Sequence, residues 1–306
     1  MKVLWLTTDY HRLSVGGPLR HYYLTLEDEL CKIADVALVG RVPTTRDAVT
    51  LVEEHDPDVV MIYDKIWDTK NLDKISPPKA VWCSDPWRRI HDHAKWINEN
   101  DIDLVCLLHG AAQPEYERLT NARCVGMFQS LSAKIFQPLD LERIYNVFQT
   151  GDLNAEAYPL RNAIFHSYRN DPACWVRTGF HSIPTLDEYV RKVNQSKILA
   201  TGSCHREVLG TRYKFFQVKP LEAMATEGLA MMDAPTCTDE LHLVAGENYV
   251  EISRRNFRKK IRYYLKEDEE RQAIAEQGYE TYVNHHSSAQ RAKQVLAELE
   301  RLVKEA

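Results

Sequence analysis

The feature that most constrains this chain is its alternation of short, continuous apolar runs with longer amphipathic stretches. Lys2–Thr8, Asp35–Val39, Asp58–Tyr63, Lys79–Cys83, Asp103–Leu108 and Cys124–Phe128 are the runs of the first half. Strands buried on both faces read as continuous rather than alternating, and they belong to parallel sheets covered by helices. Helical patterns fall between them. Pro18 opens one with Leu19, Tyr23, Leu26 and Leu30 on a single stripe. Others cover Arg46–His55, Trp87–Asn98 and the stretch holding Tyr116 and Leu119. Phe136–Leu141 (FQPLDL) reads as a linker, after which the alternation resumes. Tyr145–Gly151, Ala173–Thr178, Lys197–Thr201, Leu229–Met232 and Tyr249–Ile252 are strand candidates. Ala157–Ser167, Leu186–Val193 and Asp239–Val244 are helix candidates. Three helices, over about 255–265, 267–279 and 287–304, close the chain. The pattern predicts an α/β protein in two halves.

Composition excludes several classes. A length of 306 residues allows two domains, and 44% hydrophobic residues can build cores. A net charge of −5 implies no general affinity for polyanions. The cysteine count is seven, an odd number, with no Cys-x-x-Cys, which predicts free thiols in a reducing compartment. The opening MKVLWLTTDYHR has too short an apolar run for a signal peptide, and no run reaches the roughly 18 residues of a membrane span. The expectation is a soluble, cytoplasmic protein.

The densest local signal is Tyr213–Asp233, YKFFQVKPLEAMATEGLAMMD. Pro220 suits a first helical turn, and Leu221, Met224 and Ala225 share one face. Gly228 is placed to end that helix in the left-handed conformation. Glu222 lies in the first turn, where its carboxylate either complements the helix dipole or accepts two ribose hydroxyls. Near the start of the chain, Gly16 and Gly17 sit between a strand and a helix. This is a place for an anion or simply a tight turn.

The order P-L-E-A-M-A-x-x-G-L-A-M-M-D resembles the donor-site segment of the group 1 GT-B glycosyltransferases, and most of all their CgeB-like (spore-maturation) branch. The resemblance is clearest over 144–296. It implies two Rossmann-like domains with a cleft between them. Residues 1–140 would form the acceptor-side domain and 141–306 the nucleotide-sugar-binding domain, with the last helix (about 287–304) packing back on the first. It also implies transfer of a sugar from a nucleotide-diphospho-sugar, with retention. Glu222 would hold the ribose, and Arg161, in YPLR, and Lys219 would hold the diphosphate. Backbone N–H groups of Phe216, Gln217 and Val218 would assist, and Gly16 and Gly17 would line the cleft. The family carries a second acid eight residues before the glutamate, where this chain has Lys214. That departure motivates one alternative, a non-catalytic nucleotide- or glycan-binding protein on the same scaffold; a nucleotide-sugar epimerase on the same fold is another.

Ligands of parallel sheets bind beyond the carboxyl ends of the strands. The informative loops of the first half are therefore Asp9–Gly17, Asp64–Trp67, Ser84–Arg89 and His109–Ala111. Asp85 (in CSDPW), His109 and His91 are the acceptor-side catalytic candidates, each set against an ordinary turn or structural role. His91 and His93, at i and i+2, do not share a helix face. The Asp-x-Asp pairs Asp56–Asp58 and Asp101–Asp103 precede strands and read as loops at their amino ends. With no HExxH and no zinc spacing, neither metal nor cofactor is expected. The basic run 254–262 reads as a solvated helix face, or as a contact with phosphate-bearing acceptors on a membrane surface or a modified nucleic acid base. Tyr279, Tyr282, His285 and His286, before the last helix, read as packing residues. The acceptor itself (glycan, lipid, protein or nucleic acid base) is left open by the sequence.

Overall fold

The computed structural model describes residues 1–7, 26–40, 47–63, 69–87, 89–178 and 185–306. The first half builds a six-stranded sheet from β1 (Lys2–Leu6), β2 (Asp35–Val39), β3 (Val59–Tyr63), β4 (Lys79–Cys83), β5 (Leu104–Leu107) and β6 (Arg123–Gly126). Its order is β2-β1-β3-β4-β5-β6 and every pair is parallel. The interior strands β3, β4 and β5 are buried along their whole length, the physical reason they read as continuous apolar runs. A helical turn over 26–30, then α1 (Ala48–His55), α2 (Ile90–Glu99) and α3 (Gln113–Leu119), accompany this sheet. The loops Asp9–Gly17 and Asp64–Trp67 lie outside the described residues.

The second half runs β7 (Tyr145–Gln149), α4 (Pro159–Tyr168), β8 (Cys174–Val176), α5 (Leu186–Asn194) and β9 (Ser196–Ala200). It continues with a hairpin, β10 (Cys204–Val208) and β11 (Thr211–Phe215), then α6 (Lys219–Ala225), β12 (Leu229–Met232) and β13 (Val250–Glu251). Its five-stranded sheet has the order β13-β12-β9-β7-β8, again all parallel. Helices α7 (Phe257–Tyr264), α8 (Asp268–Thr281) and α9 (Ser288–Glu305) complete the chain. Ala292, Val295, Leu299 and Leu302 of α9 belong to the same apolar core as β1 and β3–β5, and Glu298 pairs with Arg123 of β6. None of the described helices is long and apolar enough to cross a membrane.

Four local expectations are corrected. Asp239–Val244 forms turns rather than a helix. Phe136–Leu141 is no free linker: Phe136 is buried beside Tyr189, and the Leu139 N–H donates to Asn194 Oδ1 at 2.8 Å. One apolar packing contact and one hydrogen bond outweigh the turn-like composition of that segment. The left-handed residue after α6 is Glu227 (φ 54), not Gly228. The Gly228 N–H bonds the Ala223 carbonyl at 2.8 Å and the Glu227 N–H bonds that of Met224 at 3.2 Å, the pair of bonds of a Schellman end. Arg143 holds this unusual glutamate by donating to the Thr226 and Glu227 carbonyls at 2.7 and 2.8 Å. Finally, the hairpin β10–β11 went unread. Its two-residue turn, Leu209 (φ 49) and Gly210 (φ 84), has both residues left-handed, as the tightest antiparallel turn requires.

Three of the described histidines are buried deeply enough to resist protonation. Burial lowers His93 and His109 from 6.5 to about 4, and His286 to about 3. Between pH 6.5 and those values the unfolded chain binds more protons than the folded one, so stability falls as the pH drops. The melting temperature should therefore decline from pH 6.5 to 5, and His93→Gln should flatten that decline. An equally steep decline in His93→Gln, measured by calorimetry, would exclude this cause.

Candidate functional site

The five parallel strands of the second sheet end at one edge, and the polar groups there come from distant parts of the sequence. Helix α6 supplies Lys219 and Glu222, one turn apart. Both are buried, Glu222 completely. Lys219 Nζ lies 3.0 Å from Glu222 Oε1 and also bonds the Tyr189 hydroxyl, while that hydroxyl donates to Glu222 Oε2 at 2.5 Å. Tyr189 comes from α5, and its ring lies 4.6 Å under the lysine ammonium. The carboxylate is thus held by a cation and a phenol inside the protein. Burial lowers the Lys219 pKa, and the neighbouring Glu222 charge opposes that fall.

Arg161, in the first turn of α4, is also buried. It donates to the Thr201 hydroxyl (3.2 Å) and to the carbonyls of Asp152 (3.3 Å) and Gly202 (3.4 Å), and the Tyr158 ring lies 4.0 Å beneath it. These partners are uncharged groups. Among the described residues no carboxylate pairs with the guanidinium. Burial lowers its pKa, with Glu222 among the charges that oppose the shift. Arg161, Lys219 and Glu222 therefore share one electrostatic neighbourhood. Gly151 makes room for it: its φ is +115°, and an added Cβ would stand 2.9 Å from Arg161 Nη1. Only glycine combines that backbone with that approach.

Between β11 and α6 the chain passes Phe216, Gln217 and Val218. Phe216 is buried and the other two are half-buried. None of their backbone N–H groups donates to another described residue. Three consecutive donors without an acceptor, at the start of a helix, suit an oxyanion.

The first sheet meets this segment directly. His109, at the end of β5, makes a backbone hydrogen bond with Phe216, and its ring packs on Trp87 (4.8 Å) and Phe215 (5.5 Å). Burial keeps it neutral at pH 7, against the opposing charge of half-buried Asp85. Asp85 and His109 are thus brought together beside the segment 216–218. His91 is not: it is exposed on α2, in a shallow hollow with Lys95, Asn98 and Glu99. Gly16 and Gly17 lie outside the described residues. The basic run covers the turn before α7, with Arg254 and Arg255 exposed, and the outer face of α7, with Arg258, Lys259 and Arg262 exposed and Phe257, Ile261 and Tyr264 buried.

Sequence reasoning missed several partners. Tyr189 was one residue in an amphipathic helix, with nothing local to couple it to Glu222. Asp233, at the end of β12, accepts from the Ser203 N–H (2.7 Å), lies 2.9 Å from His205 Nε2, and lies 3.9 Å from Lys214 Nζ. Lys214, where the resembling family has an acid, is thereby matched by an acid from another strand. The alternation in Cys204–Val208 and Thr211–Phe215, broken by Leu209–Gly210, was the signal that could have revealed this hairpin.

The buried pair gives a stability test. Lys219→Met leaves Glu222 buried without its cation and should cost about 3–5 kcal/mol, whereas Lys219→Met/Glu222→Leu should regain much of that. Urea denaturation of both variants measures this, and a Lys219→Met protein as stable as the parent would contradict the geometry.

The comparisons with known proteins agree with this architecture. The sequence profile of the family described as glycosyl transferase-like matches residues 147–297. No curated protein sequence matches the chain. Among solved structures, sucrose-phosphate synthase from Thermosynechococcus elongatus is similar with a TM-score of 0.69 at 10% identity, over 100% of both chains. HepE from Anabaena, in complex with UDP and glucose, gives 0.66 at 11% identity, over 98% of this chain and 100% of that one. A glycosyltransferase from Rickettsia africae gives 0.63 at 11% identity, over 100% and 99%. Two parallel α/β sheets joined in this order, with a helical C-terminus, are the GT-B fold, and within it residues 147–297 are similar to the glycosyl transferase-like family.

Proposed function

We propose that this protein is a glycosyltransferase of the CgeB-like branch that takes a sugar from a nucleotide-diphospho-sugar, without a metal and with retention at the anomeric carbon. The observation that carries the reading is that buried Arg161 shares its electrostatic neighbourhood with Lys219 and Glu222 of α6, which directly follows Phe216–Val218, whose N–H groups have no acceptor among the described residues. Preorganised donors of this kind stabilise charge that develops on a departing diphosphate. In this reading the bond from the anomeric carbon to the diphosphate oxygen breaks, and the electron pair leaves with that oxygen. The acceptor hydroxyl attacks the anomeric carbon from the same side and gives up its proton. Arg161, Lys219 and the N–H groups hold the diphosphate, and Glu222 holds the ribose once the nucleotide displaces Tyr189 or Lys219 from its carboxylate. Asp85 is the proton acceptor on the other side of the cleft. His109, neutral at pH 7, donates a ring N–H to the Phe216 carbonyl and so orients that residue rather than storing a proton. The division into an acceptor-side domain, 1–140, and a donor domain, 141–306, belongs to the same proposal. That HepE is described with UDP and glucose makes UDP the first nucleotide to test. Seven free cysteines support a reducing, cytoplasmic location.

One observation favours a second reading, a binding protein that has lost transfer. Lys214 stands where the family's acid would be and is matched to Asp233. The two readings differ in whether donor is consumed.

A thermal-shift screen with UDP, GDP, ADP, CDP and TDP tests the donor site. A nucleotide at about 100 times its dissociation constant stabilises by roughly 2.7 kcal/mol. One base should shift the parent, and the shift should shrink in Arg161→Gln and Glu222→Gln. No shift with any of the five would remove the donor-site assignment. Slow hydrolysis of the matching UDP-type sugar without acceptor is expected of the enzyme, and its absence alongside binding would favour the binding protein.

A further inference from the structure

A second polar cavity lies away from Arg161, Lys219 and Glu222, none of which lines it. It has a volume of about 390 Å³. Its walls come from three places: the exit of β6 with the start of α3, the loop after β12, and one face of α9. Arg291, in the first turn of α9, forms part of the wall and is 3% exposed. Its Nη1 bonds Gln294 and its Nη2 donates to the His285 carbonyl at 3.4 Å, but its Nε has no hydrogen-bond partner among the described residues. No carboxylate among the described residues pairs with it either. Glu298, on the same wall, is already taken by Arg123, and Glu240 is exposed at the mouth.

Apart from Arg161, two other arginines drawn into the protein, buried Arg271 and half-buried Arg143, have evident partners. Arg271 pairs with Asp268, and Arg143 ties three carbonyls at the end of α6 and the start of β9. Arg291 has neither a counter-charge nor a full set of acceptors. Burial alone pushes its pKa down to about 10, with no carboxylate opposing the shift. Burying an uncompensated charge is costly, and arrangements of this kind cluster at binding sites. Arg291 lines the cavity with two hydrogen-bond partners among the described residues for its five N–H groups, and a guanidinium with donors to spare matches the chemistry of a carboxylate or phosphate.

We propose that this cavity is a binding site for a small oxyanion-bearing ligand, a carboxylate or a phosphate ester, held by Arg291. The ligand would touch the first sheet, the loop after β12 and the last helix at once. The inference is independent of the donor reading above.

Isothermal titration with inorganic phosphate, glucuronate and glucose tests it on four proteins: the parent, Arg291→Met, Ala297→Phe and Arg161→Gln. Ala297 is exposed at the cavity and can be enlarged without disturbing the core, so this variant decides the matter if Arg291→Met does not fold. Phosphate or glucuronate should bind the parent and Arg161→Gln alike, and should lose about tenfold or more in affinity in Arg291→Met and Ala297→Phe. Which of the two anions binds identifies the ligand class, and neutral glucose should not bind. Failure of both anions to bind the parent up to about 10 mM, a dissociation constant too weak to matter, would overturn the proposal. So would unchanged binding in a folded Arg291→Met or in Ala297→Phe, or loss in Arg161→Gln alone, which would place the anion at the first site.

Discussion

The β10–β11 hairpin joins the two halves of this protein, and the geometry of the candidate site depends on it. One face, with Cys204, Val208, Tyr213 and Phe215, is buried in the core of the first sheet. The Tyr213 hydroxyl donates to Glu115 of α3 at 2.9 Å, a hydrogen bond spanning 98 positions of sequence. The other face presents His205 and Lys214 to Asp233 at the end of β12. Side chains of a strand alternate between faces, so one short hairpin can serve both cores. The segment Phe216–Val218 leaves this hairpin directly, which fixes it against His109.

Charge in the second half follows one pattern. Parallel sheets converge their strand ends on one edge, and polar groups gather there because the sheet interior cannot hold them. At that edge the structure tolerates a buried lysine–glutamate–tyrosine cluster and a buried arginine with only neutral partners. A purely structural site would replace such groups with apolar side chains at little or no loss of stability. Their gathering at one edge is what marks it as the candidate site. The sequestered state of Glu222 adds that any ligand of its carboxylate must first compete with Tyr189 and Lys219.

The last helix has a different role. Its apolar stripe completes the first core, while Ser287 caps it by accepting from the Gln290 N–H at 3.4 Å. Of the residues before it read as packing residues, Tyr282 and His286 are buried: the Tyr282 hydroxyl donates to the Leu131 carbonyl at 2.9 Å, and His286 bonds the Leu241 carbonyl at 2.8 Å, while Tyr279 and His285 are half-buried. Arg291 is the member of this region that packing does not account for.

The sequence by itself determined the α/β class, the two parallel sheets, most strand positions and the helix begun by Pro220. These follow from local periodicity and from the fixed φ of proline, which act within a few residues. It also singled out Arg161, Lys219 and Glu222, which the fold brings into one neighbourhood, and Asp85 and His109, which the fold brings beside Phe216. Tertiary structure alone decided the rest. It chose Glu227 over Gly228 for the left-handed turn because Arg143, more than 80 positions away, holds its carbonyl. It gave Glu222 its Tyr189 partner and Lys214 its Asp233. It left His91 on the surface, because the stripe that α2 buries runs through His93, Ala94 and Ile97. Each of these outcomes depends on contacts between residues distant in the chain, where charge and burial are set by the fold and local pattern carries no record of them.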